Sequence, residues 1–331
     1  MTKIIETGEI HFFYRAKIDI DTPSEVDDLQ RMYLALVPDE RKKARLFIVG
    51  RKLMPEIIPG ESDPSERHWL LLSEVGTPTE LGKALHPVEY ETKTRGERQT
   101  PQAIPVAFGR YVIASRDSST QLAYRLNAPK NIGAAQKALN IQNEARYVIS
   151  VRNPSINVPG FPDAEPDYPK ELFEKFADER WINISDSRLL DYENAQLVLI
   201  GAEPETDPIE IGSNGKVDPF ETFGLDRDNW PDDPLENGNF ASATGEAEPV
   251  ESEGDRSKGG RLGGPAAAKT DSAAGVTSAL KGVSFPSDRA TLARQARDND
   301  APEEVVDLIK TMPDRQFETM ADVTKAVGEV R

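Results

Sequence analysis

The sequence contains no cysteine and only three histidines, His11, His68 and His86, among its 331 residues. Without cysteine the chain has no disulfide bond, no thiolate zinc or iron–sulfur site and no cysteine nucleophile. No apolar run approaches the ~20 residues that span a bilayer. Acids occupy the N-terminal stretch where a signal peptide has its apolar core. We therefore expect a cytoplasmic protein with no membrane segment, no metal and no cofactor.

The formal net charge of −17 is distributed unevenly along the chain. Residues 1–160 carry 22 bases and 20 acids, whereas residues 161–275 carry 10 bases and 27 acids. The last part, residues 276–331, carries 8 bases and 10 acids. Because the acidity lies almost wholly in the middle, the net charge of the whole chain says little about the parts that fold.

The first 202 residues show the hydrophobic alternation of β-strands. Residues 9–20 alternate strictly and place His11, Phe13 and Arg15 on the polar side of a half-buried strand. Two Thr-Pro-[Ser/Thr]-Glu sequences, at 22–25 and 77–80, have the form of a capping box and predict short helices. A run of strands with a few inserted helices favours an α+β fold with a mainly antiparallel sheet. Further strands are predicted at 33–37, 44–50, 68–76, 108–116, 121–126, 145–151 and 195–201, and further helices at 131–142 and 169–181.

The rest of the chain divides into a linker and a small module. Residues 203–275 carry 17 acids and 6 bases with abundant Gly, Pro, Ser and Ala, which favours a disordered linker. Order returns at residue 276, where three short amphipathic helices are predicted, with Ser287, Asp300 and Thr319 as their N-caps. The predicted domains are therefore 1–202, 203–275 and 276–331.

The C-terminal module has a distinctive pattern of turn residues and apolar positions over about 55 residues. The pattern consists of Lys281-Gly-Val, Phe285-Pro-Ser, Leu292, Ala296-Arg297, Ala301-Pro-Glu-Glu-Val305, Met312-Pro-Asp-Arg315, Phe317 and Ala321-Asp-Val323. With these residues the module resembles a small bacterial family, the domain of unknown function 2795. The resemblance implies a compact helical module that occurs alone or appended to other domains. The family has no settled biochemical role, so the resemblance implies no catalytic residue.

Catalytic signatures are weak throughout the sequence. There is no P-loop, no Gly-x-Gly-x-x-Gly after a strand, no Gly-x-Ser-x-Gly and no His-Glu-x-x-His. Asp19 and Asp21 are similar to the acidic nucleophile motif of haloacid-dehalogenase-like phosphatases, although Thr22 follows too early for that motif. A carboxylate-based hydrolase is thus a third hypothesis, and we assign no catalytic, cofactor-binding or metal-binding residue.

Two groups of residues are candidates for binding. Basic residues surround a predicted strand and a hairpin-like turn in the first domain, a pattern typical of surfaces that hold RNA or single-stranded nucleic acid. Six large apolar residues lie among the acids of 217–240, which favours a docking segment for another protein or for the first domain itself. The basic candidates are Arg41, Lys42, Lys43, Arg45, Lys93, Arg95 and Arg98, and the docking candidates are Phe220, Phe223, Leu225 and Trp230.

The sequence therefore predicts a non-catalytic protein-interaction or regulatory protein whose partner is another protein. The alternative is a nucleic-acid-binding protein that uses the basic surface of residues 1–160.

Overall fold

The computed structural model divides the chain into two compact units, Met1–Ser252 and Glu253–Arg331. In the part of the chain that the structure describes, no helix is both long enough and apolar enough to cross a membrane. The described residues are 2–18, 20–40, 42–58, 66–92, 96–116, 119–162, 164–202, 210–212, 218–242, 279–280, 283, 286–299, 301, 303–317 and 319–329.

The first unit is built around a closed antiparallel β-barrel of eight strands. Strands β1 to β4 form one four-stranded meander, and β7, β8, β9 and β11 form the other set of four. The two sets meet where β1 pairs with β7 and where β4 pairs with β11. The barrel strands are β1 (Lys3–Ala16), β2 (Leu29–Pro38), β3 (Ala44–Val49), β4 (Arg67–Gly76), β7 (Ala103–Arg116), β8 (Ser119–Ala128), β9 (Glu144–Arg152) and β11 (Gln196–Gly201).

Smaller elements decorate the barrel. Strands β5 and β6 form a separate two-stranded hairpin, and β10 pairs with the end of β9 beyond β8. These strands are β5 (Val88–Thr92), β6 (Gly96–Thr100) and β10 (Trp181–Asn183), and the helices of this unit are α1 (Pro78–Leu85), α2 (Ala134–Ala138), α3 (Lys170–Phe173), α4 (Pro219–Phe223) and α5 (Asp233–Glu236).

The α+β prediction is wrong for this unit, because the sheet closes into a barrel and the helices are few and short. The first Thr-Pro-Ser-Glu sequence yields only a single turn, Val26–Asp28, since β2 already begins at Leu29. The second yields α1, whose Thr77 and Glu80 form the expected capping box. The helix predicted at 131–142 shortens to α2. Closure depends on the pairing of β8 with β9, which no local hydrophobic pattern reveals.

Side chains fill the interior of the barrel. Phe12 and Tyr14 of β1 point inward, and Phe12 meets the ring of Tyr124 edge-on with centroids 5.3 Å apart. Tyr124 in turn stacks against Tyr147 at 6.3 Å. Small barrels of eight strands are wide enough only for side chains or one small ligand. Here the aromatic rings take that volume, so the interior is a packed core.

A buried ion-pair network lies near the start of β1, among the inward-facing side chains. The Arg45 guanidinium, fully buried, donates to both Glu6 carboxylate oxygens at 2.6 and 3.0 Å and to Asp191 Oδ1 at 2.8 Å. Tyr111 Oη donates to Glu6 Oε1 at 2.7 Å. Burial alone would lower the pKa of Arg45, but the charge and hydrogen bonds of Glu6, together with Tyr111 and Asp191, outweigh burial and raise that pKa. The Arg45 guanidinium therefore stays charged, and the network joins β1, β3, β7 and the turn that contains Asp191.

Removing the cation of this network should destabilise the barrel strongly. We predict that Arg45→Met lowers the free energy of unfolding by about 3–5 kcal/mol, because it removes the cation that faces the buried carboxylate of Glu6 and the partly buried carboxylate of Asp191. Arg125→Met, which removes an exposed pair with Glu144, is the matched control and should cost less than about 1 kcal/mol. Urea unfolding followed by tryptophan fluorescence measures this unit, since Trp69, Trp181 and Trp230 all lie within it. Equal losses in the two variants would contradict the role given to Arg45.

In the described residues of the second unit, the three helices named below pack around an apolar core, together with a two-stranded antiparallel sheet. Ser287 pairs with Phe317 and Asp288 with Gln316. The prediction of a plain three-helix module is therefore wrong, since this sheet joins the start of the first helix to the chain before the third. Asp288, not Ser287, caps the first helix by accepting from the Thr291 amide at 2.8 Å. The helices are Arg289–Asp298, Glu303–Thr311 and Met320–Glu329.

Candidate protein-interaction site

A segment from the predicted linker folds against the outside of the barrel. Residues 218–242, here named the strap, belong to the first unit. They contain the four apolar side chains that the sequence identified as a docking segment, and all four are buried on the barrel. The composition of the strap is acidic, with seven acids and one base. It nevertheless orders, because its few large side chains are placed together on one apolar surface. These side chains are Phe220, Phe223, Leu225 and Trp230.

The first part of the strap, residues 218–235, lies in an apolar groove on the outer face of the barrel. The groove is formed by outward-facing residues of β1, β2, β3 and β7 and by the inner side of α1. Phe13 meets Phe223 edge-on at 5.4 Å, although the sequence placed Phe13 on an exposed polar face. That expectation fails because the strap covers this face of β1. The groove residues are Phe13, Tyr33, Ala35, Ala44, Leu46, Leu81, Leu85 and Ala103.

Short main-chain contacts fix the position of the strap in the groove. The indole Nε1 of Trp230 donates to the Ala103 carbonyl at 3.0 Å, and Gln102 Nε2 donates to the Asn229 carbonyl at 2.6 Å. Farther along the strap, the Ala241 amide donates to Tyr14 Oη at 2.8 Å. The strap thus extends from the groove to the end of the barrel, where Phe240 packs on the Tyr14 ring and Ala241 joins the interior cluster.

Gly82 of α1 gives the strap its closest approach to the helix. A Cβ atom built on Gly82 would lie 2.0 Å from the carbonyl oxygen of Phe223. A glycine inside a helix is otherwise unfavourable relative to alanine. Its place here is explained by the strap backbone, which packs directly on α1.

His11 lies in the floor of the groove, fully buried beneath the strap. Its ring meets Phe223 edge-on at 4.9 Å, and its Nε2 donates to Glu9 Oε2 at 3.2 Å. The same carboxylate oxygen accepts from Thr222 Oγ1 of the strap, also at 3.2 Å. Burial lowers the pKa of His11, although Glu9 and Asp218 oppose that shift. The imidazole is therefore neutral while the strap is seated.

The strap itself supplies the partners of several of its own charges. Asp218 caps α4 by accepting from the Phe220 amide at 3.0 Å, and it also pairs with Arg227. The Arg227 guanidinium lies over the Phe220 ring, 4.3 Å from its centroid. Asp226 accepts from the Asp228 amide at 3.1 Å. The contacts described between strap and groove are thus mainly apolar or between neutral groups.

The basic candidates are not gathered into one described surface. Lys42 and Lys43 are exposed between β2 and β3, whereas Arg45 is inside the barrel and holds Glu6 and Asp191. Arg98 belongs to β6. Arg41, Lys93 and Arg95 lie outside the described residues, as does Asp19 of the hydrolase hypothesis. In the described part of the chain, no group of three or more His, Asp or Glu side chains is placed to hold a metal ion.

The sequence singles out the apolar residues of the strap, but it does not predict the groove. Gly82 lies inside α1, and a glycine within a helix is a signal of close backbone approach. His11 carries no such signal, since a polar residue in an alternating strand is normally exposed, and Gln102 lies in the connection before β7.

Protonation of His11 should loosen the strap in mild acid. The seated state holds the His11 pKa below its ordinary value of about 6.5. The open state therefore gains protons first, and seating loses up to about 1.4 kcal/mol per pH unit below that value. We predict that hydrogen-exchange protection of the Trp230 indole, corrected for intrinsic rates, falls up to about fivefold from pH 6.5 to 5.5. In His11→Gln the protection should be nearly constant over this interval. The same pH dependence in both proteins would exclude His11 as its cause.

Comparison with known proteins identifies only the C-terminal region. Residues 271–324 match the family model described as "Protein of unknown function (DUF2795)". This match confirms the resemblance seen in the sequence and covers the first two helices of the second unit and the beginning of the third. No curated protein matches the chain, and no solved structure matches it either.

Proposed function

We propose that this protein is a non-catalytic protein-interaction protein whose barrel binds an extended polypeptide segment in the outer groove. One observation carries the proposal: the groove takes up the strap through four buried side chains and through hydrogen bonds to main-chain carbonyls. Aromatic anchors inserted into an apolar groove are how many protein interfaces gain their affinity.

The packing of the barrel interior is a second argument that a partner binds to the outer surface. Because aromatic side chains fill the interior, a ligand has to bind outside the barrel or between its attached elements. His11 and Glu9, the polar pair in the groove, hold the strap rather than a reacting group. The proposal also includes a cytoplasmic location, as the sequence predicts.

The groove should accept the strap sequence when it is supplied as a separate peptide. We predict that a labelled peptide of residues 218–235 binds the full chain carrying Phe223→Ala and Trp230→Ala about tenfold or more tightly than it binds the wild-type chain. The reason is that losing two buried aromatic anchors weakens the attached strap by several kcal/mol, about 3–5 for each ring, and exposes the groove. Fluorescence anisotropy of the peptide measures the affinity.

Two glycine variants give the matched controls. Gly82→Ala, added to the strap variant, should abolish peptide binding, since the new methyl group meets the Phe223 carbonyl. Gly212→Ala should change nothing, because a Cβ at Gly212 meets open space. Near-UV circular dichroism and the fluorescence of Trp69 and Trp181 verify that the barrel is folded. A peptide affinity that is unchanged by Gly82→Ala would show that the groove is not the binding site.

Nucleic-acid binding is the second candidate function, and one observation favours it. The hairpin β5–β6 forms a sheet of its own outside the barrel, and Lys93 and Arg95 lie in the sequence between its strands. Basic residues at such a position would contact phosphates, and the affinity would then fall steeply with salt.

This candidate makes a prediction that differs from that of the groove. Affinity for a single-stranded oligonucleotide should fall about tenfold or more between 50 and 200 mM salt, and Arg95→Gln with Arg98→Gln should remove most of it. Peptide binding in the apolar groove should vary little over the same range. An oligonucleotide affinity unaffected by both arginine substitutions would reject the hairpin as the contact.

A further inference from the structure

The strap leaves hydrogen-bonding atoms of the groove without partners. His11 Nδ1, Gln102 Oε1 and Arg15 Nε are buried and have no hydrogen-bond partner in the described part of the chain. His11 contacts Phe223, and Gln102 donates to the strap at Asn229, so both of these side chains lie directly against it. Arg15 lies nearby and donates to the carbonyls of Ala84 and His86 at the end of α1.

Unpaired buried polar atoms weaken the seating of the strap. A buried acceptor or donor that loses its water and gains no partner opposes burial. Against His11 the strap places the phenyl ring of Phe223, which makes no ordinary hydrogen bond, and against Gln102 it places the Asn229 carbonyl, which pairs only with the amide nitrogen. The strap therefore fills the apolar groove but leaves some of its buried polar atoms without a hydrogen bond.

The hydrogen bonds that His11 and Gln102 already make show which kind of group could pair with their unpaired atoms. Since His11 Nε2 carries the proton that it donates to Glu9, its Nδ1 is an acceptor. Gln102 directs its amide nitrogen to the Asn229 carbonyl, which leaves Oε1 as a second acceptor. A better-matched occupant would thus supply hydrogen-bond donors at two places beside its aromatic anchors.

We infer that the groove is the docking site for a segment of a partner protein that combines the aromatic spacing of the strap with donor side chains, and that the strap holds the site until that segment displaces it. The partner segment carries two aromatic residues three positions apart, as Phe220 and Phe223 are. It also carries Ser, Thr, Asn, Gln or Lys side chains that reach His11 and Gln102. This inference rests on the proposed function, because it assumes that the groove binds polypeptide.

The test uses the full chain with Phe223→Ala and Trp230→Ala, and with Phe223→Ala alone in case the double variant folds poorly. The probe is a displayed peptide library built on residues 218–235, in which Phe220, Phe223, Leu225 and Trp230 are kept and the other positions are randomised. We expect selected peptides to gain donor side chains and to bind roughly tenfold tighter than the unaltered strap peptide.

The quantity to measure is the affinity of the selected peptides divided by the affinity of the unaltered strap peptide, compared among matched variants of the protein. Gln102→Leu and His11→Leu should each reduce the advantage of the selected peptides toward unity, whereas Lys83→Ala on the exposed side of α1 should preserve it. Selected peptides that are no tighter than the strap peptide, or whose advantage survives both substitutions, would overturn the inference while the groove remained a peptide site. Failure of every peptide to bind would instead overturn the proposed function.

Discussion

Closure of the barrel is the constraint on which the rest of this structure depends. Once β8 pairs with β9, the sheet has no free barrel edge to which a partner strand could add. The interior is equally occupied, since the inward-facing aromatic rings pack against one another. Binding is therefore left to the outer face and to the elements laid on it. In the groove between α1 and β7, a segment of the chain itself, the strap, is already bound to that face.

The barrel is stabilised by a buried ion-pair network and the strap by apolar contacts, and these interactions differ in how far they tolerate a change of partner. The Arg45 network is centred on a buried guanidinium with a bidentate partner, so it depends on each of its members. The strap is held mainly by apolar anchors and by a few hydrogen bonds, and contacts of this kind tolerate exchange of one segment for another of similar shape. A rigid barrel that carries a strap held in this way is the basis of the interaction function that we propose.

The sequence predicted the local pieces better than their assembly. The strands, the α1 capping box at Thr77 and the strap anchors could be read from spacing, because each depends on neighbours a few residues away. The fate of Phe13 and Arg45 could not be predicted. Phe13 is buried by residues more than 200 positions later, and Arg45 is paired with Glu6 of another strand and with Asp191 of a distant turn. Such long-range partners leave no periodic signal in either segment.

The most direct measurement of the central claim is 19F NMR of the full chain labelled with 5-fluorotryptophan. The three tryptophans, Trp69, Trp181 and Trp230, give one probe in the groove and two outside it. The account predicts that unlabelled peptide of residues 218–235 produces a second, solvent-exposed Trp230 resonance that grows with peptide concentration, while the other two resonances stay in place. A Trp230 resonance that never changes, or a shift of all three together, would contradict a replaceable strap.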